Sequence, residues 1–298
     1  AGTTLDFGCV APAVVFVEVF KRQGVTIDMA EARGPMGAGK RDHIAQIAGL
    51  DAVRTRWQAA QGRLPGEADI DAMYADFIPL QLQCLSQYSD LIPGTLAAAA
   101  EMRRRGIRLG STSGYDRAMM AVNAADAKRQ GFEVDAIFCS TDVRRGRPYP
   151  FMALHNVIAL GVCHVEACVK VDDTVPGIEE GLNAGMWTVG FSISGNEVGL
   201  SLAEWNATAP AEQAKLRARA ANKLLQSGAH YVVDSIADLV PCLDDIAARL
   251  ARGAFFSGWA ERLGSWLPLR ARPARSARGV GAPQQGELAL SLDEVKVM

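Results

Sequence analysis

The stretch Lys170-Val171-Asp172-Asp173-Thr174 concentrates groups that could do chemistry. Cys168-Val169-Lys170-Val171 reads as a short buried strand, two carboxylates stand where it should end, and Val175-Pro176-Gly177-Ile178 turns into a helix. In an open α/β sheet, ligands bind beyond the carboxyl ends of the strands. Adjacent acids repel there unless a cation neutralises them, and their hard oxygens suit Mg²⁺. The plain alternative is a solvated acidic loop. A second candidate is the glycine-rich turn Gly34-Pro35-Met36-Gly37-Ala38-Gly39-Lys40. Its Gly-x₄-Gly-Lys spacing meets the nucleotide-binding P-loop pattern. Yet Arg41 stands where Ser or Thr must reach the metal, and Met29 to Arg33 ahead of it reads as helix rather than buried strand, so that reading is set aside.

The elements that would position these groups follow from periodicity and breakers. From Ala11 to about Leu91 the pattern is helical: Val14-Val15-Phe16 with Val19-Phe20 makes an apolar stripe closed by Gly24. Helices are expected over Asp42 to Leu50, Ala52 to Gln61 and Glu67 to Tyr88, with a break at Gly62-Arg63-Leu64-Pro65-Gly66. After Pro93-Gly94, helices alternate with strands at Ile107 to Gly110, Asp135 to Cys139, Cys168 to Val171, Trp187 to Phe191 and His230 to Val233. Such alternation implies a parallel sheet with right-handed crossovers. The expected fold is therefore α/β, a doubly wound, Rossmann-like parallel-sheet core with an inserted helical cap. Residues 1–8 and 92–250 would form the core, 9–91 the cap, and 251–298, where Arg alternates with Pro, Ala, Ser and Gly, a disordered tail.

Bulk properties narrow the class. The 298 residues are 49% hydrophobic and 21% charged with a net charge of −2, which points to a soluble globular chain and away from nucleic-acid or membrane surfaces. No apolar run approaches the roughly 18 residues a membrane span needs. The six cysteines form no Cys-x-x-Cys pair and read as small buried hydrophobes of a reducing cytoplasm; Cys9, near the first motif, is the one expected to border a pocket. Ala1-Gly2-Thr3-Thr4 reads as a loop with no strand before it, so the natural N-terminus is expected to lie further upstream.

Five motifs carry a resemblance: Ala-Gly-Thr-Thr-Leu-Asp-Phe-Gly-Cys from Ala1, Pro-Met-Gly-x-Gly-Lys-x-Asp-His from Pro35, Ser-Gly-Tyr from Ser113, Gly-Arg-Pro-Tyr-Pro from Gly146 and Lys-Val-Asp-Asp-Thr-Val-Pro-Gly from Lys170. Together they resemble the phosphonatase (phosphonoacetaldehyde hydrolase) branch of the haloalkanoate dehalogenase superfamily, from Ala1 to about Arg252. The resemblance implies cleavage of the carbon–phosphorus bond of a small phosphonate aldehyde, with Mg²⁺ as cofactor. It implies that the attacking Asp lies two residues before Ala1, and that Ala1 replaces the acid by which ordinary phosphatases of the superfamily protonate an alkoxide. A departing carbon needs an electron sink instead, and a lysine imine is one.

Lys40 would form that imine and His43 would shuttle its proton. Met36 and Tyr115 would border the aldehyde. Ser113, the Gly114 amide and the Gly2 and Thr3 amides would hold phosphoryl oxygens, and Arg147 would neutralise their developing charge. Asp173 and the Ala1 carbonyl would ligate Mg²⁺, with Asp172 and Cys9 behind them. Many relatives carry Gly at the position of Asp172 and Asp at that of Gly177, so the second acid stands displaced along the chain. A cytoplasmic homodimer joined through the cap helices is implied as well. The competing readings are another phosphohydrolase or phosphomutase of the same superfamily, and a non-catalytic remnant.

Overall fold

A computed structural model describes residues 1–252 and 296–297. Five helices form the cap: α1 (Val10–Arg22), α2 (Met29–Arg33), α3 (Lys40–Ala48), α4 (Asp51–Gln61) and α5 (Glu67–Leu85). Each turns an apolar stripe inward, so Phe16, Phe20, Ile44, Trp57, Met73 and Phe77 are shut off from solvent together. That cluster continues into Tyr115 and Met119, the latter on α7 (Arg117–Arg129), so the cap is seated on the core through side chains of both.

The core places α6 (Thr95–Arg104) before β1 (Gly110–Ser113), α7 before β2 (Ala136–Cys139), and α8 (Phe151–Ala159) before β3 (Cys168–Asp172). Then follow α9 (Val175–Ala184), β4 (Trp187–Phe191), α10 (Leu202–Ala207), α11 (Pro210–Gln226), β5 (Tyr231–Val233) and α12 (Leu239–Ala251). Among the described residues the strands pair in parallel, β1 with β2 in one sheet and β5-β4-β3-β6 in another, where β6 is Lys296–Val297, and Leu5 makes an isolated antiparallel bridge to Leu91. Strands β3 and β4 are buried along their whole length, as parallel strands covered on both faces must be. Val169 and Val171 pack toward Leu243 and Ile246 of α12, whereas Cys168 packs toward Ala153 and Val157 of α8. Helices thus cover both faces, the doubly wound arrangement.

Two expectations need correction. The first core strand starts at Gly110 rather than Ile107, because its ladder is set by β2, with Gly110 opposite Ala136. Ile107 is buried ahead of that ladder, and Leu109, a bridge residue whose carbonyl accepts from the Asp135 amide at 2.7 Å, adjoins it. Helix α3 begins at Lys40, not Asp42, so the expected turn lysine is the first helical residue. The expected tail, 251–298, falls outside the described residues but for 251–252, where α12 ends, and Lys296–Val297, which pairs with Cys168 and Val169. Among the described residues no helix is long and apolar enough to cross a membrane.

Candidate active site

The acid pair sits at the carboxyl end of β3, and its two members differ in environment. The Oδ2 of Asp172 accepts from Lys170 Nζ at 2.8 Å and lies 2.9 Å from Arg147 Nη2. Its Oδ1 accepts from the Asp173 and Thr174 amides at 3.0 and 3.1 Å and from Thr174 Oγ1 at 2.8 Å. Burial opposes its charge, but Arg147 and Lys170 outweigh burial and hold the carboxyl below the usual range. Glu180 completes the cluster, accepting from Arg147 Nε and Thr112 Oγ1, both at 2.9 Å, with Lys170 at 3.3 Å. The side chains of this network are at most 8% exposed, which is tolerable only because cations and carboxylates alternate.

Asp173 receives no cation. Its Oδ1 accepts from Thr3 Oγ1 at 3.1 Å and its Oδ2 from the Asn196 amide at 2.9 Å, and no basic side chain among the described residues pairs with it. Burial, and then the neighbouring Asp172 carboxylate, push it up to about 6. A buried acid compensated this poorly suits a hard cation. Among the described residues no trio of His, Cys, Asp or Glu gathers into a metal cage. One carboxylate with a backbone carbonyl nevertheless fits Mg²⁺, which usually keeps waters and takes phosphoryl oxygens.

The opening loop approaches Asp173 at glycine. A Cβ on Gly2, whose φ is +75°, would lie 2.1 Å from Asp173 Oδ2, so no other residue fits without displacing the acid. The expectation that the Gly2 amide holds a phosphoryl oxygen is corrected: that N–H donates to the Leu5 and Asp6 carbonyls at 2.8 and 3.1 Å. Thr3, by contrast, lines the cavity while its hydroxyl holds Asp173.

The cap turn comes down over these loops at two close approaches. A Cβ on Gly37 would meet Thr174 Oγ1 at 2.3 Å, and one on Gly114 would meet the Ala38 carbonyl oxygen at 2.5 Å. Lys40 follows directly, as the first residue of α3. Helical side chains tilt toward the helix N-terminus, which here aims Lys40 off the helix end toward the core. Its Nζ lies 4.7 Å from the centre of the Tyr115 ring and 5.5 Å from that of Phe16. It has no hydrogen-bond or ion-pair partner among the described residues. Burial lowers its pKa to about 8, helped by Arg147 and opposed by nearby acids. Cys9 offers no opposing charge at neutral pH, because its own burial pushes that thiol up to about 12.

His43 lies behind Lys40 on the same face of α3, completely buried and stacked on Phe16 at 3.8 Å between ring centres. Its Nε2 faces the Ala32 carbonyl at 2.8 Å. A carbonyl only accepts, so Nε2 carries the proton and Nδ1 presents a lone pair, which has no hydrogen-bond partner among the described residues. Burial, then the Lys40 charge, keep the ring neutral.

These groups border one cavity of about 150 Å³. Ala1, Thr3, Cys9, Met36 and Lys40 line it from the opening loop and the cap. Ser113, Gly114, Tyr115, Arg147, Asp172 and Asp173 line it from the core. Met36 packs with Cys9, Ala13 and Ala1, an apolar wall beside Lys40. Ser113 Oγ accepts from the Tyr115 amide at 3.1 Å, which leaves its own proton to give. The Tyr115 hydroxyl is buried without a partner, and Arg147 Nη1 is engaged by no protein group among the described residues. Of the expected site residues, only Gly2 and His43 stand outside the cavity wall. Sequence reasoning missed Thr112, Lys170 as an ion-pair partner, Glu180, Asn196 and Arg33. Lys170 carried a usable signal, since a lysine inside an apolar strand must find a carboxylate.

Comparison with known proteins agrees with this geometry. Residues 3–185 match the family model described as haloacid dehalogenase-like hydrolase. The phosphonoacetaldehyde hydrolase of Bordetella pertussis is 47% identical over 85% of this chain and 92% of its own length. That of Pseudomonas aeruginosa (strain PAO1) is 46% identical over 87% of this chain and 94% of its own. The crystal structure of a phosphonoacetaldehyde hydrolase-like protein from Oleispira antarctica superposes with a TM-score of 0.84 at 46% identity, covering 86% of this chain and 93% of that one. With its family model covering most of the core and these relatives spanning nearly their whole length, the chain belongs to the haloacid dehalogenase-like hydrolases, in the phosphonoacetaldehyde hydrolase branch.

Proposed function

We propose that this chain hydrolyses phosphonoacetaldehyde to acetaldehyde and phosphate. The observation that carries the reading is Lys40: a buried amine with no hydrogen-bond or ion-pair partner among the described residues, on the wall of a cavity that Arg147 and Asp173 also line. A lysine of that kind is wasted on an ordinary phosphate ester. It is what an aldehyde requires.

In this reading, the neutral Lys40 amine attacks the aldehyde carbon, His43 Nδ1 takes up the proton it sheds, and loss of water leaves an iminium. Met36 and Tyr115 keep that end of the cavity apolar, which favours the uncharged amine. The phosphonate oxygens lie against Ser113 Oγ, the Gly114 amide and the free Nη1 of Arg147. The phosphoryl group passes to a carboxylate placed two residues ahead of Ala1, and the electrons of the broken C–P bond flow into the iminium to give an enamine. Protonation at carbon and addition of water then release acetaldehyde and restore Lys40, while a second water hydrolyses the acyl phosphate. Asp173 and the Ala1 carbonyl would hold Mg²⁺, which when bound offsets negative charge on the phosphoryl oxygens. Glu180 and Asp172 keep Arg147 oriented for the same oxygens. By the same resemblance we take the enzyme to be cytoplasmic and dimeric through its cap, with residues 9–91 as the mobile element.

The test is borohydride reduction in the presence of phosphonoacetaldehyde, followed by peptide mass spectrometry. One reduced adduct on Lys40 is expected, and none in Lys40→Arg, which keeps the charge but cannot form the imine. Turnover is measured in a chain extended so that Asp stands two positions before Ala1, and there Lys40→Arg should lose activity by orders of magnitude. Near-normal turnover by Lys40→Arg would refute the mechanism.

A further inference from the structure

We infer that Arg33 is a positioning residue, a latch that holds the cap turn closed over the site and ties that closure to the loop supporting Asp173. Arg33 ends α2, immediately before the glycine turn that delivers Lys40. Its guanidinium, half-buried, reaches four neutral oxygens. Nη1 donates to the Gly8 carbonyl at 2.8 Å, the Cys9 carbonyl at 3.2 Å and Asn196 Oδ1 at 3.3 Å, and Nη2 donates to the Gly199 carbonyl at 2.9 Å. Asn196 Nδ2 donates back to the Arg33 carbonyl at 3.3 Å.

Arg33 and its acceptors lie on three segments that must separate if the cap lifts: the cap helix itself, the Gly8–Cys9 crossing from core to cap, and the core loop after β4. That core loop already grips the crossing, since the Gly8 amide donates to the Ser194 carbonyl at 2.7 Å. Gly199, at φ +71°, gives the guanidinium room, for a Cβ there would lie 2.9 Å from Arg33 Cζ. The same loop supplies the Asn196 amide that holds Asp173 Oδ2 at 2.9 Å. One residue therefore registers the Lys40 turn against the Asp173 carboxylate, from outside the cavity and without touching it. A lysine could not replace it, because one ammonium cannot span acceptors arranged for a planar fork.

The functional meaning of the latch rests on the reading of Lys40 and Asp173 given above, so the experiment uses a readout that does not. Hydrogen exchange by mass spectrometry compares the unaltered chain with Arg33→Lys, Arg33→Met and Asn196→Ala, without substrate. Exchange over residues 34–44 is expected to rise about tenfold, the worth of one charge-assisted hydrogen bond, while β3 and β4 stay protected. Borohydride trapping on Lys40 should slow in parallel, with kcat falling in the extended chain. Native exchange over 34–44 together with native trapping, even at a lowered melting temperature, would reduce Arg33 to a structural contact and overturn the inference. Absence of trapping in the unaltered chain would instead refute the functional reading, and the exchange result would still decide the latch.

Discussion

Gly177 occupies a helical position where glycine normally costs about 1 kcal/mol relative to alanine. It is the third residue of α9, and its amide donates to Thr174 Oγ1 at 3.3 Å. A Cβ placed there would lie 1.9 Å from Asp172 Cγ and 2.1 and 2.2 Å from its two oxygens. The Asp172 carboxylate therefore fills the volume that a side chain at 177 would enter. The acid that the family resemblance implies for the helix reaches the same spot from the strand. Gly177→Ala must consequently expel a carboxylate held by Lys170, Arg147, the Asp173 and Thr174 amides and Thr174 Oγ1.

Breaking a buried ion pair costs about 3 to 5 kcal/mol. Taking the lower figure, Gly177→Ala should lower the melting temperature by roughly 6 to 12 °C. Arg147 would lose its orientation, and kcat/KM should fall about a hundredfold at roughly 1.4 kcal/mol per decade. Asp172→Gly alone should cost a similar amount by stranding Lys170 and Arg147. The double variant Asp172→Gly with Gly177→Asp returns a carboxylate to the same volume and should recover most of both losses, giving a large coupling energy in the cycle. Melting curves of the four proteins need no substrate, and kcat/KM is measured in the extended chain. If Gly177→Ala melts and turns over normally, or the double variant is no better than the two single losses added, the exchange of positions is not real.

Lys40→Met removes a buried ammonium and should stabilise the protein by about 3 kcal/mol at pH 7. The folded chain gives up this proton at about 8 and the unfolded chain at the ordinary lysine value, so the penalty is full below pH 8, relieved as pH rises between those values, and absent above them. Chemical denaturation at pH 7 and pH 10.5 checks it, and a gain that does not shrink with pH would count against burial as the cause. Mg²⁺ should raise the melting temperature, by up to about 2.7 kcal/mol of stabilisation at a hundred times its dissociation constant, and Asp173→Asn should abolish that gain. His43→Asn should slow Lys40 trapping by about 10² or more while leaving Mg²⁺ stabilisation intact, because His43 stands three residues beyond Lys40 on α3 and outside the wall that Asp172 and Asp173 line.

Much of this site was readable because its parts obey local rules. A carboxylate pair after an apolar strand, and a lysine after a glycine turn, are recognisable wherever they occur, and helix–strand alternation follows from apolar spacing. What escaped depends on neighbours far along the chain. Glu179 and Glu180 look alike in sequence, yet Glu180 is wholly buried against Arg147, Thr112 and Lys170, which come from other elements. Arg33 looks like a solvated end of a short helix until the loop of Asn196 and Gly199 is folded against it. The start of β1 was misplaced for the same reason: Ile107 and Leu109 are as apolar as a strand requires, but pairing is decided by β2.

The charge balance of the folded site explains why those distant partners matter. Arg147 and Lys170 are matched by Asp172 and Glu180, so that network is neutral before any substrate arrives. Asp173 is left as an uncompensated anion, facing a cavity that must admit a phosphonate dianion. Counting Asp173, the attacking carboxylate and the phosphonate dianion as four negative charges, a divalent ion and the iminium that forms at Lys40 offset three of them. Lys40 reacts as the neutral amine, a form that burial makes more accessible by lowering its pKa to about 8, and it regains a positive charge as the iminium. A permanent cation there, as in Lys40→Arg, would bind the dianion well and still leave the carbon without an electron sink, so tight phosphonate binding with lost turnover is the pattern this arrangement demands.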